Sequence, residues 1–288
     1  MNIHNEYNKI GDIVGETPIR HEAIAQSYNL TLYKLEFKRR APIVAKYGRP
    51  KLRTHLELEY KMLTHINTLN FLTSPKAIYA DDELYLMDYI EHEALGHHQD
   101  AEAVIAKQIA QLHTITADGF GFEYDTLIGS LLQPNRFHKS WIEFFRDERL
   151  LPFAEQCYEQ KLITTDFRLK IDKLAARLDE LITDNHPPTL IHGDLWFGNI
   201  LTDGEKLKGL IDPALYYANP EIELAYVTMH NSLGNDFFAE YQNHHKIDDG
   251  FFELRKDIYN IYPNLVHILL CGNEYAIPIE AVFKRHGI

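Results

Sequence analysis

The sequence predicts a two-lobed α+β fold, with a small antiparallel-sheet lobe over residues 1–90 and a larger, mainly helical lobe over 91–288. Three observations predict it. Residues 23–90 hold short runs of β-type alternation separated by turns and interrupted by one amphipathic helix. From residue 101 onward the apolar residues recur at helical spacing instead. A chain of 288 residues is also long enough to bury two substantial cores.

Taken in order, residues 1–16 read as a short helix or lead-in, without the apolar core of a signal peptide. In Ala23–Leu35, Leu30, Leu32 and Leu35 partly alternate with polar residues, which predicts strands joined by a turn. Ile43 to Tyr47 is a compact β run closed by Gly48. Pro50 to Leu69 reads as an amphipathic helix, with Leu52, Leu56, Leu63 and Ile66 at near-helical spacing. Lys76–Ala80 and Leu84–Ile90 complete the small sheet around the turn Asp81-Asp82-Glu83. The strand passes into a linker, where the lobe boundary falls.

The second lobe opens with a helix over Ala101–Ile115 that carries Val104, Ile105, Ile109 and Leu112 on one face. Phe120 to Leu150 leads into a helix containing Trp141, Phe144 and Phe145, aromatics most simply read as core. Phe167, Ile171, Leu174, Leu178 and Leu181 mark another amphipathic helix, and Pro187-Pro188 closes the loop before the next strand.

That strand begins the most informative stretch, LIHGDLWFGNILTDGEKLKGLIDPALYY, from Leu190 to Tyr217. A short apolar step delivers His192-Gly193-Asp194, with Asn199 five residues beyond the Asp. The polar turn Thr202-Asp203-Gly204 follows, then the apolar run Leu207–Ile211 delivers Asp212. This order matches the phosphoryl-transfer arrangement: a carboxylate for the nucleophile's proton, then an amide and a second carboxylate for a metal. Mg²⁺ is a hard cation and takes such oxygen ligands. Strand ends and a tight loop fix the separations that this chemistry needs.

Composition narrows the partners. The formal net charge of −13 argues against nucleic acid and anionic membranes, and favours small amine-bearing substrates. Two cysteines, Cys157 and Cys271, are too few for a disulfide framework or a zinc site, so a reducing cytoplasmic setting is expected. His97-His98 and His244-His245 lack metal-site context and read as solvated loop residues. No apolar run approaches bilayer length.

His192–Asn199 and Ile211–Tyr217 together resemble the fructosamine (ketosamine) kinase family, whose mark is HGDLW-x-GN followed by IDPA-x-YY. Trp196 and Pro213-Ala214 separate this pattern from the aminoglycoside and choline kinase relatives. Phe120–Leu150 is similar to the family's FGF…IG…QPN…W…FF…RL run. The resemblance implies a protein-kinase-like fold and ATP- and Mg²⁺-dependent phosphorylation of a sugar hydroxyl on a ketosamine, a deglycation activity. Its substrate would be a small sugar-amine adduct or a glycated lysine on a protein. Asp194 would be the base, and Asn199 and Asp212 the metal ligands. Val44-Ala45-Lys46 resembles the kinase strand whose Lys holds the α/β-phosphates. Glu57 and Glu59 both qualify by position as its partner, and the family match favours Glu59. Met87, Asp88, Tyr89 and Ile90 would line the adenine through backbone groups and a soft apolar side chain, and Trp196 and His267 would meet the acceptor.

The sequence also departs from the family. His21-Glu22 stand where the nucleotide loop opens with Gly-Gly. Ala218-Asn219-Pro220 replace Gly-His-Arg, while Glu221, Leu224 and Ala225 match and Glu223 keeps the charge. Val266 replaces an Asn beside His267, with Gly272 in place of a Gly-rich turn. These departures leave two further readings: a kinase for an aminoglycoside or amino alcohol, and a catalytically weak nucleotide-binding protein.

Overall fold

The structure, a computed structural model, describes residues 2–27, 29–49, 55–93, 101–183, 185–204, 206–229 and 231–288. The expected helix start at Pro50 with Leu52, and the pair His97-His98, lie outside the described residues. The chain divides into two compact units, Met1–Gly96 with Ile200–Pro213, and His97–Asn199 with Ala214–Ile288.

In the first unit a 3₁₀ turn, Ile3–Glu6, leads into α1 (Tyr7–Val14), and β1 (Arg20–Ser27), β2 (Leu30–Glu36), β3 (Ile43–Gly48), α2 (His55–Asn67), β4 (Ala77–Ala80) and β5 (Leu84–Asp88) follow. The sheet runs β1-β2-β3-β5-β4 and every pairing is antiparallel. Side chains alternate across a strand, so each face collects every second residue. Leu35, Ile43, Ala45, Tyr47, Leu84 and Leu86 form one face and pack against Ile3 and Ile10. The opposite face carries Val44 and Lys46, directly across from Met87 and Tyr85. Helix α2 buries His55, Leu56, Met62, Leu63 and Ile66.

The hairpin Ile200–Asp203/Lys206–Leu210 belongs to this unit, whereas the sequence suggested a single boundary after residue 90. Leu210 N donates to Thr73 O at 2.9 Å, and Glu93 N to Thr202 O at 3.0 Å. A Cβ on Gly209 would stand 2.5 Å from Ile90 Cδ1. A larger residue there would have to displace the end of the Ile90 side chain.

The second unit is mainly helical. Helix Glu102–Leu112 buries Ile105, Ala106, Ile109, Ala110 and Leu112. Val104 does not share that face, being 41 % exposed, because it sits one residue, roughly 100°, round from Ile105. The aromatic run is core as expected: Phe120, Phe122, Trp141, Phe144 and Phe145 are all buried. Trp141 stacks on Phe144 and Phe145 at 5.7 and 5.6 Å. The backbone here passes from an α turn, Trp141–Phe144, through a π-helical stretch, Phe145–Leu150, into helix Leu151–Glu159. Phe167, Ile171, Leu174, Leu178 and Leu181 are also buried, but they lie on two helices. Thr165–Ala175 and Leu178–Leu181 are separated where Arg177 leaves helical geometry, at φ −119° and ψ 14°. Cys157 and Cys271 are free thiols. Among the described residues no helix is long and apolar enough to cross a membrane.

Candidate active site

The second unit carries the loop with Asp194. Strand Thr189–Ile191 pairs antiparallel with Tyr216–Ala218, Ile191 opposite Tyr216. As the chain leaves this strand it must turn sharply, and Gly193 does so at φ +87°. A Cβ there would stand 2.1 Å from the Ala214 carbonyl oxygen, so glycine is demanded twice, by conformation and by space. Ala214 N donates to His192 O at 2.7 Å and closes the turn.

Glu223, buried on helix Glu221–Met229, anchors the loop from below. Its Oε1 accepts Gly193 N at 2.8 Å and its Oε2 accepts His192 N at 3.2 Å. The same carboxylate meets His113 Nε2 at 2.9 Å, and His113 Nδ1 lies 2.7 Å from the Tyr241 hydroxyl. Burial alone would raise the Glu223 pKa. The His113 hydrogen bond, the His113 and His192 imidazoles and the Gly193 amide overcome it and hold the carboxyl below its ordinary range.

Asp194 is therefore presented by a loop with little freedom. Its amide donates to His192 Nδ1 at 2.9 Å. Asn199, at the end of the 3₁₀ turn Phe197–Asn199, donates its Nδ2 to both Asp194 O and Asp194 Oδ2 at 2.9 Å. The Tyr226 hydroxyl donates to the Asp194 carboxylate from helix Glu221–Met229. Trp196 is half-buried and lies back across its own loop, where a Cβ on Gly198 would stand 2.6 Å from the indole. His267 stacks on Tyr275 at 4.7 Å and its Nδ1 sits 2.6 Å from Pro263 O. Burial lowers its imidazole pKa, against the opposing effect of that carbonyl. With Gly193, Tyr226 and Tyr262 it lines a cavity of about 30 Å³. Sequence reasoning missed the anchoring role of Glu223, the part of His113 and all of Tyr226.

The first unit carries a charge cluster on the sheet face described above. Lys46 Nζ, 7 % exposed, donates to Glu59 Oε2 at 2.5 Å and to Asp212 Oδ1 at 2.7 Å. Burial would lower the Lys46 pKa, but Asp212 and Glu59 outweigh it and raise it above its ordinary value. Glu59 also meets His55 Nε2 at 2.7 Å. Its carboxyl is lowered to about 2: burial opposes this, and Lys46 and His55 prevail. Glu57 points to solvent on the same helix, so Glu59 is the partner. Asp212 sits in the left-handed region at φ 50°, which a short polar side chain tolerates better than most.

Met87 lies on the Lys46 face, opposite Val44. The Asp88 and Tyr89 amides are already spent on Lys76 O at 3.0 Å and Pro42 O at 3.2 Å. Those two amides are therefore not free to meet an adenine. The Lys34 ammonium stands 4.1 Å over the Tyr89 ring. His21 and Glu22 are inside β1, opposite Leu35 and Lys34, and not in a loop. His21 Nδ1 lies 2.7 Å from the Tyr7 hydroxyl. The β1–β2 turn comes later, next to Asn29 at φ 68°. His244 and His245 contact Glu240 and Ala110 O. Among the described residues no group of three or more His, Cys, Asp or Glu could hold a metal.

A family profile described as fructosamine kinase matches residues 3–286. The chain belongs to the fructosamine kinase family. It is 33 % identical over 165 residues to a probable ketoamine kinase of Pasteurella multocida, covering 57 % of this chain and 55 % of that one. It is 31 % identical over 195 residues to a chloroplastic protein-ribulosamine 3-kinase of Arabidopsis thaliana, covering 66 % and 57 %. The matched stretch thus spans little more than half the length of these relatives. A Thermobifida fusca crystal structure described as a fructosamine-3-kinase superposes with TM-score 0.86 at 24 % identity, covering 98 % of both chains. The ternary complex of APH(2″)-IIa with streptomycin and ATP superposes with TM-score 0.65 at 16 % identity, covering 97 % of this chain and 95 % of that one. The fold is the two-lobed protein-kinase-like α+β fold that the sequence predicted.

The segment after Tyr217 is held by local contacts. Asn219 Oδ1 accepts Glu221 N at 3.0 Å at the start of its helix. Glu221 is buried and paired with Arg255 at 2.5 and 2.6 Å. That guanidinium neutralises the buried Glu221 carboxylate.

Proposed function

We propose that this fructosamine kinase family member phosphorylates a sugar hydroxyl of small ketosamines with ATP and Mg²⁺, and that the product labilises the sugar–amine link. The observation that carries this reading is Asp194: its carboxylate is held by Asn199 and Tyr226 on a loop that Glu223 fixes through two backbone amides. A base for a weakly acidic alcohol gains from such fixed placement, because no reorganisation is left for the moment of reaction. The names of the ketoamine and ribulosamine 3-kinase relatives support the acceptor class and the 3-hydroxyl.

The acceptor oxygen attacks the γ-phosphorus of ATP. An O–P bond forms, the bond to the β–γ bridging oxygen breaks, ADP leaves, and the hydroxyl proton passes to Asp194. Lys46, fixed by Glu59, would hold phosphate oxygens. Asn199 and Asp212 would hold Mg²⁺. Their donors fit this cation, since the Asn199 nitrogen is committed to Asp194 and its amide oxygen is what remains to offer. Mg²⁺ is commonly held by only one or two protein ligands plus phosphates. Bound there, it would neutralise charge on the transferring phosphoryl group. Trp196 and His267 would contact the sugar.

A coupled ADP-release screen over fructosamines, ribulosamines, aminoglycosides and amino alcohols tests the proposal. Release with a ketosamine supports it. Release with aminoglycosides or amino alcohols alone would overturn the substrate while leaving the family intact.

A further inference from the structure

His55 lies in α2 beside the Lys46 cluster and is 4 % exposed. Its Nε2 stands 2.7 Å from Glu59 Oε1, one helical turn further on. Glu59 Oε2 takes Lys46 Nζ at 2.5 Å, so each carboxylate oxygen has its own partner. The Glu59 carboxyl is lowered to about 2, and an ionised carboxylate can only accept. His55 Nε2 therefore carries the hydrogen and donates it.

The other ring nitrogen shows what this bond costs. His55 Nδ1 is buried and meets no hydrogen-bond partner among the described residues. A buried polar atom without a partner lowers stability, and folded proteins hold few of them. A leucine would fill the same place with no polar atom to bury. What the imidazole adds over leucine is one donor, and that donor goes to Glu59.

Glu59 acts through Lys46, which is held from two sides, by Glu59 and by Asp212. The Asp212 side chain is 41 % exposed and is the carboxylate proposed for the metal. It is thus the partner that turns away from the ammonium when Mg²⁺ is taken up. Lys46 is then placed by Glu59 alone. A carboxylate bonded only to a flexible lysine can rotate and follow it, whereas one bonded to His55 on its other oxygen stays in place.

We propose that His55 is a positioning residue for the nucleotide: it fixes the Glu59 carboxylate so that Lys46 meets the phosphates at a preset place. This rests on Lys46 being the phosphate-holding residue of the proposed kinase.

The test compares wild type with His55→Leu, which removes the donor and the unpartnered nitrogen together, and with His55→Gln, whose amide can donate from a similar place. Calorimetry measures Mg-ATP affinity, and thermal melts without nucleotide measure stability. His55→Leu should bind Mg-ATP about tenfold more weakly, the usual worth of one hydrogen bond. It should nevertheless melt within about 2 °C of wild type or above it, since it also removes a buried unsatisfied atom. His55→Gln should recover affinity to within about threefold, because the donor is restored. In turnover the loss should fall on the KM for ATP, with the acceptor KM unchanged. In a Glu59→Ala background His55→Leu should change affinity by less than about twofold, as expected of residues that act as one unit. Wild-type affinity in His55→Leu would overturn the inference, as would equal loss in His55→Leu and His55→Gln, the mark of a packing role. A second loss of about tenfold in the Glu59→Ala background would overturn it too, by showing that His55 acts elsewhere. If wild type itself binds no Mg-ATP, the kinase reading fails and this inference falls with it.

Discussion

Lys46→Met removes the cation from a buried cluster and isolates what it held. The ammonium is 7 % exposed and lies 2.5 Å from Glu59, whose side chain is 14 % exposed, and 2.7 Å from Asp212, at 41 %. Removing one partner of a buried pair costs about 3–5 kcal/mol, because the other charge is left desolvated and uncompensated. Two features reduce that figure here. Asp212 can turn to water, so its share is about 1 kcal/mol or less, and Glu59 keeps His55 at 2.7 Å. The expected loss is about 3 kcal/mol, or a fall in Tm of about 5 °C for a chain of this size. Asp212→Asn should lower Tm by about 2 °C or less. The pH dependence has a definite sign. The folded Glu59 carboxyl is lowered to about 2 from its ordinary 4.5, so the stability it contributes is present above pH 4.5 and is lost as pH falls toward 2. The gap between wild type and Lys46→Met should therefore be widest near neutrality and narrow on acidification. Thermal melts followed by circular dichroism at pH 7 and pH 4 measure both effects. A Lys46→Met variant melting within 2 °C of wild type at pH 7, or a gap that widens at pH 4, would refute the reasoning.

Two further outcomes are expected. Gly193→Ala places a methyl 2.1 Å from the Ala214 carbonyl at a positive φ; turnover should drop at least a hundredfold, and near-wild-type activity would mean that the turn can relax. Trp196→Ala should raise the acceptor KM about tenfold with kcat within about twofold, as expected for lost ground-state binding; an unchanged KM would assign the indole to packing within its own loop.

Much of the site was legible because its constraints are local. Gly193 is dictated by the turn it occupies, and the spacing of Asp194 from Asn199 matches a loop that closes on itself through their hydrogen bonds. Lys46 was legible through the resemblance of Val44-Ala45-Lys46 to the kinase strand, and the strand register sets it opposite the face that packs on Ile3 and Ile10. Other features depend on partners far along the chain. Glu223 reaches His192 across 31 residues and His113 across 110; only its retained charge hinted at a role. The hairpin at 200–210 joins the first unit through Thr73 and Glu93, contacts that no local pattern announces. The break at Arg177 went unseen because Leu174, Leu178 and Leu181 stay buried on both sides of it. His21-Glu22 pointed to a loop only through the family pattern, whereas the strand register with Leu35 and Lys34 carries them into β1.

The most direct test of Asp194 as the base pairs product analysis with nucleotide binding. Purified wild type and Asp194→Asn are incubated with a fructosamine of a free amine, ATP and Mg²⁺, and the sugar phosphate is followed by phosphorus NMR while calorimetry measures Mg-ATP affinity. Wild type should give a single phosphate ester, at the 3-hydroxyl. Asp194→Asn, isosteric and still able to meet Asn199, should bind Mg-ATP within about threefold of wild type and form product at least a thousandfold more slowly, within the range that loss of a positioned base produces. Product formation by Asp194→Asn within tenfold of wild type would contradict the assignment.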